Sequence, residues 1–164
     1  MPSTYTPIAT TTLGSATNTV TFSSISGSYT DLILVSNLYG DGGAANIFVR
    51  FNSDTGTNYS NTMLTGDGSA ANSYRNTSTS SIFMIATGGS LNAKWGTFIM
   101  SCNNYSNSTT NKTALARFDS AGGEVTANVG LWRNTSAINA IEIRTSTNNY
   151  LAGSTFTLYG VKSA

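Results

Sequence analysis

The sequence predicts an all-β protein, an antiparallel β-sandwich of about eight to ten strands. Three observations predict it: apolar residues recur with a period of two, they come in short runs closed by Gly, Asn, Asp or Ser clusters, and helical periodicity is nearly absent. Length allows one domain and one core. That domain is expected over 13–164, preceded by an extended arm over 1–12.

The arm, Met1 to Thr12, holds Pro2 and Pro7 and few apolar anchors, so it is expected to gain order by docking on another surface. Tyr5, Pro7 and Ile8 are its candidate contact residues. The first strand is expected at Thr17 to Ile25, where Val20 and Phe22 alternate with threonines and Ser26-Gly27-Ser28 closes the run. Asp31 to Tyr39 carries leucines on one parity and Ile33, Val35 and Tyr39 on the other, the pattern of a central strand covered on both faces. A turn at Asp41-Gly42-Gly43 then leads to Ile47 to Asn52, and the two runs read as a hairpin.

Further strands are expected at Tyr59 to Thr65, Ser81 to Thr87, Lys94 to Asn103, Lys112 to Asp119, Glu124 to Arg133, Ala140 to Thr145 and Ser154 to Lys162. In the run at 140–145, Ile141 and Ile143 face inward while Glu142 and Arg144 face water. Gly66 to Thr79 and Asn103 to Asn111 are too polar for a core and read as exposed loops.

Charged residues make up 9% of the chain and the net charge is +1, with Lys and Arg dispersed. Nucleic acid is therefore not an expected partner, because counterion release needs a clustered basic face. Weak self-repulsion suits a protein packed against neighbours. No apolar stretch reaches the ~20 residues of a membrane-spanning helix, so no membrane contact is expected. Cys102 is the single cysteine, follows an apolar run and is expected to be buried and inert. With no secretion signal at the start of the sequence, folding in a reducing cytosol is expected.

Catalysis is not expected. The chain has no histidine, which removes Ser-His-Asp triads and His-based zinc sites. None of Lys94, Lys112 and Lys162 sits in a Ser-x-x-Lys motif. Asp41 and Asp67 each precede a glycine, a turn context rather than one half of a glycosidase pair. Asn52-Ser53-Asp54-Thr55-Gly56 alternates oxygen ligands but lacks the distal acid of a calcium loop, and reads as a hairpin turn with Gly56 at positive φ. Gly42-Gly43, Gly88-Gly89 and Gly122-Gly123 read as turns, with no phosphate-cradling motif. No cofactor or metal is called for. Among the aromatics, Trp95 and Trp132 are expected in the core, and Tyr74 and Tyr105, in polar segments, are the candidate interface residues.

Three segments carry a resemblance: Ser28-Tyr29-Thr30-Asp31-Leu32-Ile33-Leu34, Phe48-Val49-Arg50-Phe51-Asn52-Ser53-Asp54-Thr55-Gly56-Thr57-Asn58-Tyr59, and Gly153-Ser154-Thr155-Phe156-Thr157-Leu158-Tyr159-Gly160-Val161-Lys162. With Asn134 to Arg144 they make most of the chain from Tyr5 onward resemble a family of small virion proteins of tailed bacteriophages, often those of aquatic bacteria. The resemblance implies a jelly-roll sandwich. It also implies a capsid decoration or cement subunit that forms a homotrimer or homodimer, grips the major capsid protein from outside, and is made in the bacterial cytoplasm. A tail-fibre or tail-tip module binding a receptor or glycan is the alternative, and a non-viral lectin-like sandwich a third.

Overall fold

A computed structural model describes residues 4–42, 46–85 and 93–162. Sequence readings that fall on Met1 to Ser3, Gly43, Thr87 and Gly88-Gly89 lie outside these residues. Twelve strands follow in chain order: β1 Tyr5–Thr12, β2 Thr19–Phe22, β3 Asp31–Tyr39, β4 Ile47–Phe51, β5 Tyr59–Gly66, β6 Ala71–Thr79, β7 Ile82–Ile85, β8 Trp95–Asn103, β9 Lys112–Ser120, β10 Val125–Trp132, β11 Ile141–Thr145 and β12 Thr155–Val161. They form an eight-stranded sheet in the order β1-β12-β3-β8-β9-β10-β5-β6 and a four-stranded sheet in the order β2-β11-β4-β7. The molecule is all-β, as the alternation predicts.

The winding is that of a jelly roll. If β5–β6 and β9–β10 are set aside, the remaining eight strands, counted in chain order, lie as first-eighth-third-sixth in one sheet and second-seventh-fourth-fifth in the other. The two omitted hairpins enter after the fourth and sixth of those strands and join through β5 and β10, which pair along their whole length from Tyr59↔Trp132 to Gly66↔Val125. One sheet thereby doubles in width and overhangs the other.

Between the sheets, Leu32, Leu34, Phe98, Met100, Phe118, Phe156 and Leu158 from the large sheet meet Val20, Phe22, Val49, Phe51, Ile82, Ile141 and Ile143 from the small one, all buried. Burying each such side chain stabilises the fold by about 1.5–3 kcal/mol. Under the inserted hairpins the interior turns polar, with Asn61 and Asn128 buried. The reason is β7, the edge of the small sheet. Its backbone groups find partners in the opposite sheet: Asn128 Nδ2 donates to Phe83 O at 2.6 Å and to Met84 O at 3.3 Å, and the Phe83 amide donates to Asn61 Oδ1 at 3.4 Å.

Several expectations need correction. The segment read as a free arm is β1, paired with β12 from Tyr5↔Val161 to Thr12↔Thr155. Main-chain ladder bonds and the packing of Ile8 and Leu13 on the core supply the order that its few apolar residues did not signal. The segment at 66–79, read as a loop, contains β6, which shows no alternation because both of its faces are exposed. Strands β3 and β4 are not a hairpin. They lie in different sheets, and the chain between them is held by an isolated bridge from Gly40 to Tyr150 and an Asp41 amide to Asn149 O bond of 3.2 Å. The outer side of β3 is half-exposed rather than covered. The turn after β4 likewise crosses between sheets, and its positive φ angles fall on Asn52 and Ser53, not on Gly56.

Candidate functional site

The candidate surface begins with strand alternation. In β3, β8, β9, β10 and β5 one parity points into the core, and antiparallel pairing lines up the other parity on the outer face of the large sheet. Ile33, Ser101, Leu115, Val129 and Thr62 form one row across these five strands, and Val35, Ile99, Arg117, Ala127 and Leu64 the next. Leu115 is 63% exposed and Leu64 61%. Arg117 is the one charged side chain in the two rows. Ile33, Ile99, Ser101, Leu115, Arg117 and Ala127 surround a shallow hollow of about 310 Å³. The result is a broad, gently featured, largely apolar face, suited to adhesion.

At one end of this face Trp95, directly opposite Tyr39 in the β3–β8 pair, stacks on it with ring centroids 5.2 Å apart and planes 26° from parallel. Trp95 is half exposed, contrary to its expected place in the core. Trp132, by contrast, is buried as expected.

The small sheet has its own outer face. Arg50 Nη1 lies 3.4 Å from Glu142 Oε1, Arg144 Nε lies 3.9 Å from the same oxygen, and the Arg144 guanidinium sits 5.1 Å above the Phe48 ring. Phe48, Phe83, Asn76, Ser78, Thr79 and Arg144 help to line a hollow of about 490 Å³.

The five residues read from the sequence as interface candidates are not brought together. Tyr5 and Pro7 are exposed at the β1 edge, where Ile8 is half-buried. Tyr74 is exposed on β6 at the far edge of the same sheet, seven inter-strand steps or on the order of 30 Å away. Tyr105 is buried, its hydroxyl donating to Ser26 O, and so cannot serve as an accessible contact. The outer-face residues were missed because apolar side chains on both parities of β3 read as double cover. The usable signal lay in β9, where Leu115 shares its parity with Thr113, Arg117 and Asp119.

Titratable groups are mostly tied into structure. Burial pushes the Cys102 thiol up to about 12, leaving it protonated at neutral pH. Lys112, buried, donates from Nζ to Thr110 O at 2.7 Å and Thr135 O at 3.0 Å, and burial pulls its pKa down. Asp54, in the segment weighed as a calcium loop, has both carboxylate oxygens taken by N–H donors: Gly56 N on Oδ1, and Asn58 Nδ2 and Trp132 Nε1 on Oδ2. Among the described residues no three His, Cys, Asp or Glu side chains gather where they could hold a metal ion.

No protein-family model matches this chain, and no curated protein does. Among solved structures it is similar to an exo-inulinase from Aspergillus awamori, with 11% identity and a TM-score of 0.45, covering 96% of this chain and 29% of that one. It is also similar to the PL-14 alginate lyase from Aplysia kurodai, with 13% identity, a TM-score of 0.37 and coverages of 85% and 72%. A third similarity is to Scytalido-glutamic peptidase, with 12% identity, a TM-score of 0.32 and coverages of 90% and 65%.

Proposed function

We propose that this chain is a virion structural protein of a tailed bacteriophage, a capsid decoration protein that seats on the outside of the major capsid lattice and stabilises the head. In this reading it has no catalytic chemistry and no cofactor, binds neither nucleic acid nor membrane, self-associates as a dimer or trimer, and moves from the host cytoplasm to the capsid exterior. The resemblance of its sequence segments to small phage virion proteins supplies the setting.

The observation that carries the reading is the outer face of the eight-stranded sheet, where Ile33, Val35, Ile99, Leu115, Val129 and Leu64 present apolar surface with little charge. Covering such a face gains about 25 cal/mol per Å² of apolar area, and modest contacts repeated over a lattice sum by avidity. A net charge of +1 lets copies crowd without strong repulsion.

A tail-fibre or tail-tip module that binds a receptor glycan is the second reading. The exposed Tyr39–Trp95 stack favours it, because flat aromatic faces pack on sugar rings. Copy number in purified virions separates the two. Hundreds of copies per particle, removable by mild chaotrope with loss of heat resistance of the heads, would support decoration. A handful of copies, with host adsorption lost in Trp95→Ala, would replace it with the tail reading, and absence from virions would sink both.

A further inference from the structure

The sandwich has four sheet edges, and three of them are protected against pairing with another chain. Strand β2 is four residues long. The outer edge of β7 is met by the Asn61 and Asn128 side chains of the opposite sheet. Strand β1 contains Pro7, which lacks a backbone N–H, and its register with β12 shifts between Pro7 and Ala9. Short strands, covered edges, prolines and bulges are the devices by which β proteins avoid edge-to-edge association.

The fourth edge, β6, has none of them over Ala71–Asn76. That stretch pairs with β5 in unbroken register from Gly66↔Ala71 to Asn61↔Asn76 and contains no Pro, Gly or Lys. No described residue pairs with its other side. Ala71 through Arg75 are exposed on both faces, since the small sheet does not reach so far. A strand that hides neither face and satisfies half of its backbone groups is held by one ladder alone.

We propose that β6 is the self-association surface of this protein, pairing antiparallel with β6 of a second copy about a two-fold axis to make one sixteen-stranded sheet. The partner follows from complementarity. The stretch carries one charge, Arg75, and a two-fold axis through the Tyr74 pair places it opposite Ser73 and sets Asn72 against Asn76, so like charges do not meet. A head-to-tail contact would need β1 as the receiving edge, and Pro7 and the bulge obstruct it. Pairing therefore closes after one addition, as an isologous dimer. About six ladder bonds, each a modest net gain, set against the cost of association, describe a weak, concentration-dependent dimer. The inference gives the self-association of the virion reading a surface, and to that extent rests on it.

The test uses purified full-length protein with no virion present, so it can fail independently of the virion reading. Sedimentation velocity from micromolar to millimolar concentration is expected to show a reversible dimer for the natural sequence. Asn72→Lys with Tyr74→Lys crowds four positive charges along the seam and should leave a monomer with unchanged circular dichroism. Thr10→Lys with Thr12→Lys, on the exposed side chains of the β1 edge, should leave the dimer intact. A monomer at every concentration, a dimer indifferent to the β6 pair, or one dissolved by the β1 pair would each overturn the proposal.

Discussion

The indole Nε1 of Trp132, on β10 of the large sheet, donates a 2.7 Å hydrogen bond to the carboxylate of Asp54, in the crossing that leaves β4 of the small sheet. One side chain thus ties the two sheets together at the point where the inserted hairpins begin. Tyr59 stacks on the same indole at 6.2 Å and 13°, and its hydroxyl accepts from Phe51 N and donates to Asp54 O.

Asp54→Ala removes the acceptor of a buried indole N–H, and the expected loss is about 2–3 kcal/mol in urea unfolding, with Asp54→Asn losing less. Burial raises the Asp54 pKa, but the hydrogen bonds from Asn58, Trp132 and Gly56 together outweigh it and hold the carboxyl below its ordinary value. A lowered folded pKa stabilises above the unfolded value of about 3.9 and is lost as pH falls through the folded value. The natural protein should therefore show a loss of stability below about pH 4 that is smaller in Asp54→Asn. Identical acid limbs would contradict the assignment.

Tyr150 offers the opposite case. Its ring packs edge-on against Phe156 at 5.2 Å and 74°, while its buried hydroxyl has no hydrogen-bond partner among the described residues. Tyr150→Phe keeps the ring and removes the stranded group, so thermal unfolding should show stability maintained or raised by about 1 kcal/mol. Tyr59→Phe, which loses bonded partners, should be destabilised instead.

At high pH the Tyr59 phenol contributes, beside that of Tyr150, which burial also raises. Burial pushes it up to about 12. A raised folded pKa gives stability that is complete below the unfolded value of about 10 and drains away as pH climbs through the folded one. Tyrosinate absorbance should lag behind that of exposed tyrosines and rise together with unfolding. A free, early titration of all tyrosines would refute the burial.

Gly130 faces inward on β10, and a Cβ there would stand 2.5 Å from Ile82 Cγ2. Gly130→Ala is expected to cost about 1–3 kcal/mol by overpacking, measured by denaturant midpoint, with part of the loss recovered when Ile82→Val is added. Lack of any rescue would show that the clash is relieved elsewhere.

On the outer face, Leu115→Asp with Val129→Asp places two carboxylates at neighbouring positions in one row. Both side chains are exposed, so the fold should be kept, with a loss of about 1–2 kcal/mol from the facing like charges and the poor strand propensity of Asp. Attachment to undecorated heads in a co-sedimentation assay should be lost. Retained attachment would remove this face from the proposed function.

Strands that hide one face were legible to within a residue or two, save that the run expected to Ile25 ends as β2 at Phe22, and Asp31–Tyr39 was legible at both ends, because burial on one side imposes strict alternation. β1 and β6 were not, since Ile8 is the only aliphatic β-former in the first and the second buries nothing. Pairing was hidden too: β3 and β4 are neighbours in the chain but belong to different sheets, and no local pattern separates a hairpin from a crossing. Tyr105 shows the limit of composition at a site. Its surroundings in sequence are polar, yet its hydroxyl reaches Ser26, 79 positions away. The outer face of the large sheet was half legible, for the apolar residues were visible and only their direction was misjudged.

The pairing of β1 with β12 bears on how the protein comes to exist. Thr10 and Thr157 bond through their hydroxyls across 147 positions of chain, so the segment that leaves the ribosome early has no seat until β12 has emerged and lain down beside β3. Closing so long a loop is entropically costly and slow, and until it closes β12 shows the ribosome's surroundings a bare flank. The time between synthesis and that closure is the interval in which this chain is most exposed to misassociation.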